Sequence, residues 1–117
     1  RRTGPHPARR TFQAIRIEVN AELEHLERGL DAGFSVLAAG GRMAVLSYHS
    51  LEDRIVKERF TAWSSRPPVP RGLPVTGIPG DPPPARLVTR GAARPQAHEI
   101  AANPRAESAR FRVLERV

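Results

Sequence analysis

A chain of 117 residues, 39% of them hydrophobic, has room for one small domain with a single core. Its formal charge of +7 favours a polyanionic partner, and with Lys57 the only lysine that charge is carried by arginine, whose planar fork suits phosphate, although basicity alone identifies no site. The absence of cysteine excludes a disulfide framework and a thiolate metal site, while the lack of an apolar leader or of a run of about 18 apolar residues points to a soluble, cytoplasmic protein without a membrane partner.

Residues 1–10 read as a basic lead-in broken by Pro5 and Pro7, and the missing initiator methionine suggests a fragment. Residues 11–63 then read as helix, strand, helix. Phe12, Ile15, Val19, Leu23, Leu26, Leu30 and Leu37 recur at spacings of three, four or seven, which places them on one core-facing side of a helix capped by Thr11. Asn20, followed by Glu22, could cap a second helix if the chain bends there. Gln13, Arg16 and Asn20 form a polar stripe beside the apolar one. Gly40-Gly41 supplies a left-handed helix end, and "RMAVLS" (Arg42 to Ser47) is short, apolar and bounded, as a buried strand is.

Ser50 with Asp53 three residues on resembles a capping box, opening a second helix whose apolar side is Leu51, Ile55, Val56, Phe60 and Trp63. Helix, strand, helix in this order implies an α/β fold with a mostly parallel sheet. Residues 64–86 concentrate proline and glycine and read as a long surface loop expected to be mobile. Residues 87–117 complete the domain as strand, helix, strand. "RLVTRGA" (Arg86 to Ala92) is a short strand, "QAHEIAANP" a helix stopped before Pro104, and "SARFRVLERV" a half-exposed strand alternating Phe111, Val113 and Val117 against arginines 110, 112 and 116.

Ligands of parallel α/β sheets sit outside the carboxyl ends of the strands, and Tyr48-His49-Ser50 is the turn leaving the apolar strand. His49 can accept or donate a proton or contact a phosphate, since its ordinary pKa lies near neutrality, and Ser50 has the simpler task of capping the next helix. No Gly-x-Ser-x-Gly elbow or ordered triad accompanies them, which disfavours hydrolase chemistry. The four histidines, His6, His25, His49 and His98, show no metal-ligand spacing.

Three stretches, "TFQAIRIEVNAELEHLERGL", "LAAGGRMAVLSYHSLEDRIVKERF" and "EIAANPRAESARFRVLERV", resemble the carboxyl-terminal part of the bacterial small-subunit (16S) ribosomal RNA cytosine N4-methyltransferases, the RsmH or MraW family. The similarity runs from Arg9 to Val117. Where that family usually has Ser-Phe-His-Ser, this chain carries Tyr48. The resemblance implies the last part of a Rossmann-like, class I methyltransferase sheet ending in an antiparallel hairpin, with S-adenosylmethionine as cofactor and ribosomal RNA or the small subunit as partner. It implies that His49 and Ser50 are the candidate catalytic residues, and that Gln13, Arg16, Asn20 and Tyr48 converge on the target cytidine with Asp53, Arg54 and Arg105 nearby.

The cofactor would be held mainly by an amino-terminal glycine-rich turn and acidic residues. No such loop occurs here, since Gly40-Gly41 precedes a strand, so no cofactor residue is assigned and the chain alone is expected to be inactive. Two rival readings stand beside this one: a non-enzymatic basic module that binds RNA, and a structural fragment that forms homodimers through exposed apolar surface.

Overall fold

The computed structural model describes residues 6, 8–66 and 81–117. Its elements are α1 (Ala8–Val36), β1 (Arg42–Ser47), α2 (Ser50–Ser64), β2 (Ala85–Leu87), α3 (Ala97–Ala102), a 3-10 turn (Pro104–Ser108) and β3 (Arg110–Arg116). Most of the proline-rich loop, residues 67–80, lies outside the described residues, as does the basic lead-in at 1–5 and 7.

The sheet has the order β1-β3-β2, and both outer strands pair antiparallel to β3. This corrects the expectation of a mostly parallel sheet. β1 and β2 do run in the same direction, joined across α2 as a crossover requires, but the terminal strand inserts between them and turns every pairing antiparallel. The second strand is shorter than the sequence suggests. Arg86 belongs to it rather than to the loop, and the stretch to Ala92 leaves the regular ladder: Val88 N and Thr89 N still donate to Val113 O (2.9 and 3.3 Å), and Ala93 bridges Phe111.

α1 is one unbroken helix, so Asn20 caps nothing. It begins at Ala8, ahead of Thr11, because the His6 side chain and carbonyl accept the first free amides, those of Ala8 and Arg9. Its apolar stripe is buried along only half its length. Leu30 is buried and Leu26 and Phe34 pack on the core, whereas Phe12 is 65% exposed and Ile15 53%. A helix of 29 residues is about 43 Å long, farther than a three-stranded sheet and one facing helix reach.

The helix ends at Val36, four residues before the glycine expected to cap it. Its last carbonyls are taken up instead by Arg116, whose Nη1 donates to Phe34 O (3.0 Å), Ser35 O (3.3 Å) and Leu37 O (2.8 Å) while the guanidinium lies 5.3 Å from the Phe34 ring centre. Gly40, at φ 78°, makes the turn into β1, and its amide donates to Arg116 O at 2.8 Å.

Leu30, Val56, Phe60, Ala85 and Leu114 form the core, with the Phe34 and Trp63 rings stacked at 4.3 Å beside it. Leu114, which interrupts the terminal alternation in the sequence, is the fully buried residue of β3. Arg110, Arg112 and Arg116 share its side of the strand, and Phe111 and Val113 face away. The reversal has a physical reason: Asp53 and the α1 carbonyls satisfy two of these arginines on the helix side.

On the far face Glu115 ties the three strands together, accepting from Arg42 Nε at 2.9 Å and from Arg86 Nη2 at 2.6 Å. That pairing holds its carboxyl below the ordinary value. Leu46, Val88 and Phe111 stand exposed on this same face, so β1 is covered on one side only rather than buried.

Candidate functional site

β1 delivers the chain from buried Ser47 to exposed Tyr48, and the backbone turns at His49 (φ −126°, ψ 142°) to start α2. His49 is itself the cap of that helix. Its Nδ1 accepts the Leu51 amide at 3.2 Å and its carbonyl accepts the Asp53 amide at 3.0 Å. Ser50, the expected cap, is the first helical residue, and no capping box forms because the Asp53 side chain points to Arg112 instead. The correction follows from a one-residue shift in where extended backbone gives way to helix.

With Nδ1 accepting a backbone amide, neutral His49 carries its proton on Nε2. The ring therefore presents a donor outward. Replacing Ser50 with alanine is expected to change unfolding free energy by no more than about 0.5 kcal/mol, since it removes no cap. A urea titration giving a loss of about 1 kcal/mol or more would restore Ser50 to the capping role.

Tyr48, His49, Ser50 and Asp53 line a cavity of about 430 Å3 together with Glu107, Ser108 and Arg110. The last three come from the 3-10 turn and the start of β3, and sequence reasoning missed them. The available signal was Asn103-Pro104: Pro104 starts the turn and the Asn103 side chain accepts the Arg105 amide at 3.2 Å, which fixes where the following residues face. Arg110 folds back onto its own turn, donating to Ala109 O at 2.9 Å and Glu107 O at 3.3 Å.

Asp53 is held by both nitrogens of a fork, Arg112 Nε to Oδ1 at 2.8 Å and Nη2 to Oδ2 at 3.0 Å, with only 14% of the Arg112 side chain and 19% of the Asp53 side chain exposed. The hydrogen bonds from Arg112 lower the Asp53 pKa below its ordinary 3.8, burial opposes them, and the charges of Arg112, Arg110 and Lys57 add to the lowering. Asp53 is a fixed negative charge, unsuited to taking up a proton near neutrality.

The remaining residues singled out in the sequence lie elsewhere. Gln13 and Arg16 line another cavity, of about 500 Å3, with His6, Arg9 and Phe12, and Asn20 is exposed farther along α1. The polar stripe and the His49 turn therefore do not converge within the described residues. Arg54 is exposed on α2 outside the lining, and Arg105 is exposed on the 3-10 turn, whose neighbours Glu107 and Ser108 do line the His49 cavity. No described helix is long and apolar enough to cross a membrane.

Across residues 1–117 the sequence matches the family described as the MraW methylase family. It is 59% identical over 117 residues to the ribosomal RNA small subunit methyltransferase H of Saccharopolyspora erythraea, covering 100% of this chain and 35% of that protein. It is 59% identical over 116 residues to the protein of the same name from Thermobifida fusca, covering 99% of this chain and 34% of the relative. A third, from Symbiobacterium thermophilum, is 54% identical over 114 residues, covering 97% and 36%. The chain thus spans about a third of the length of the curated relatives it matches.

Proposed function

We propose, from the premise that the chain belongs to the MraW methylase family, that it is the carboxyl-terminal part of a methyltransferase that acts on the exocyclic N4 of a cytidine in small-subunit ribosomal RNA. The observation carrying this reading is the His49 cavity, which opens at the carboxyl end of β1 and is lined by an aromatic ring, a fixed imidazole and hydroxyls. In this reading the target base leaves its stack and lies against Tyr48, while His49 Nε2 donates to an acceptor on the pyrimidine edge. Ser50 and Ser108 offer hydroxyl acceptors to the amino group, and alignment supplies most of what the site contributes.

The described residues do not fit S-adenosylmethionine, the cofactor that a methyltransferase family implies. Gly40 and Gly41 sit at the other end of β1 from His49, with Gly40 N and Gly41 O engaged by the backbone of Arg116, and Asp53 is spent on Arg112. The cofactor is assigned to the remainder of a longer, Rossmann-like polypeptide, which would also cover the far face of the sheet and the bare half of α1. In this reading the remainder of the polypeptide, rather than a second copy, covers the apolar surface, and the enzyme works in the cytoplasm on its ribosomal substrate.

Methyl transfer from labelled cofactor to small ribosomal subunits tests the proposal. The complete polypeptide is expected to transfer to one cytidine N4 and the 117-residue chain alone to show no turnover. RNA binding by the complete polypeptide without transfer would favour a non-enzymatic module, and turnover by the chain alone would contradict the assignment of the cofactor site.

A further inference from the structure

Asp53, Lys57 and Thr61 follow one another at spacings of four along a single face of α2. Past the Asp53–Arg112 pair, this face meets the segment that leaves β2, enclosing beside the pair a second cavity of about 70 Å3 lined by Lys57, Thr61, Thr89, Arg90 and Arg112, with Phe60 and Leu87 as its apolar part. The pair is the wall between the two cavities, since Asp53 lines the larger and Arg112 the smaller.

The polar part of its lining is made of donors. Arg112 spends Nε and Nη2 on Asp53, which balances its charge and leaves Nη1. Thr89 Oγ1 accepts the Val113 amide at 3.0 Å, so its own proton remains to be donated. Lys57 and Arg90 make no ion pair with any carboxylate among the described residues, and no carboxylate lines the cavity. Two cations without an ion-pair partner among the described residues, with hydroxyl donors around a space far smaller than the His49 cavity, suit one tetrahedral oxyanion and leave no room for a base.

We propose that this second cavity holds a backbone phosphate of the RNA strand whose target base enters the His49 cavity. The proposal rests on the ribosomal RNA reading above and extends it. It makes the Asp53–Arg112 pair the divider between base and backbone, and Lys57 and Arg90 the residues that register the strand. Phosphate contacts of this kind fix position without reading sequence, so they act on binding and leave the chemical step alone.

The test uses the complete polypeptide and a dye-labelled single-stranded RNA containing the target cytidine, with binding followed across a salt series and methyl transfer measured in parallel. Lys57→Gln and Arg90→Gln are each expected to shallow the slope of log affinity against log salt by roughly 0.7. The double variant is expected to raise KM about tenfold at unchanged kcat, and Lys57→Arg to retain binding. Both positions are exposed, so melting temperature should hold; if the double variant does not fold, the single variants decide.

A folded double variant with the parental salt slope and KM would overturn the proposal, as would a fall in kcat at constant KM. Should the parent protein bind this RNA but transfer no methyl group, the enzymatic reading fails while the slope comparison still decides the phosphate site.

Discussion

On the proposed function, His49→Asn in the complete polypeptide is expected to lower methyl transfer by about 10²-fold while leaving the melting temperature close to the parental value. The scale is that of one preorganised hydrogen-bond donor removed from a reacting site. Asparagine is among the best helix caps, so the Leu51 amide keeps an acceptor while the outward-facing Nε2 donor is lost. His49→Ala removes both functions and should add a stability loss of about 0.5–2 kcal/mol to the same fall in rate. Measuring rate and melting temperature on the two variants separates cap from donor. A His49→Asn enzyme with the parental rate would show that this imidazole only caps α2, and the site would have to be placed elsewhere.

Breaking the Asp53–Arg112 pair is expected to have the largest effect on stability. Exposed pairs contribute about 0–1 kcal/mol and removal of one partner from a fully buried pair costs about 3–5 kcal/mol. With both side chains mostly but not wholly covered, Asp53→Ala should cost about 2–3 kcal/mol, much of it from leaving Arg112 against the core without a partner. Removing both, as Asp53→Ala with Arg112→Leu, should cost less than Asp53→Ala alone, a non-additivity that a double-mutant cycle in urea reads directly.

The pair also has a pH signature. The native carboxyl is held below its ordinary 3.8, so its contribution is complete above that value and disappears as pH falls through the lowered native one. The stability difference between the parent and Asp53→Asn should therefore be flat near neutrality and shrink in acid. A difference that grew on acidification, or stayed constant throughout, would mean that the pair does not titrate in this way.

Much of the molecule is legible in local pattern. Arg42–Ser47 is the strand its apolar run announces, and the helix after it carries Val56 and Phe60 into the core at the spacing read from the sequence. Local pattern misled where a distant partner decides. Alternation in the terminal strand set Phe111 and Val113 apart from the arginines, yet Leu114, on the arginine side, is the buried residue, because Asp53 and the end of α1 satisfy the arginines beside it. The stripe of α1 predicted burial along the whole helix, but burial needs a facing surface, and past Leu23 toward its amino terminus α1 meets none among the described residues.

The candidate site divides in the same way. Tyr48, His49, Ser50 and Asp53 could be named from sequence because they are consecutive or nearly so, and a strand exit followed by a helix start brings them together without help from the rest of the chain. Glu107, Ser108 and Arg110 lie more than fifty positions later and reach the cavity only because β3 inserts beside β1, with Ser47 opposite Arg110. Family membership, the element types and the His49 turn were determined by the sequence itself, since each rests on residues near one another along the chain. The antiparallel sheet, the face that β3 buries, the change of cap from Ser50 to His49 and the second cavity were decided by tertiary structure, because strand pairing, ion pairing and cavity walls depend on groups that the linear order keeps apart.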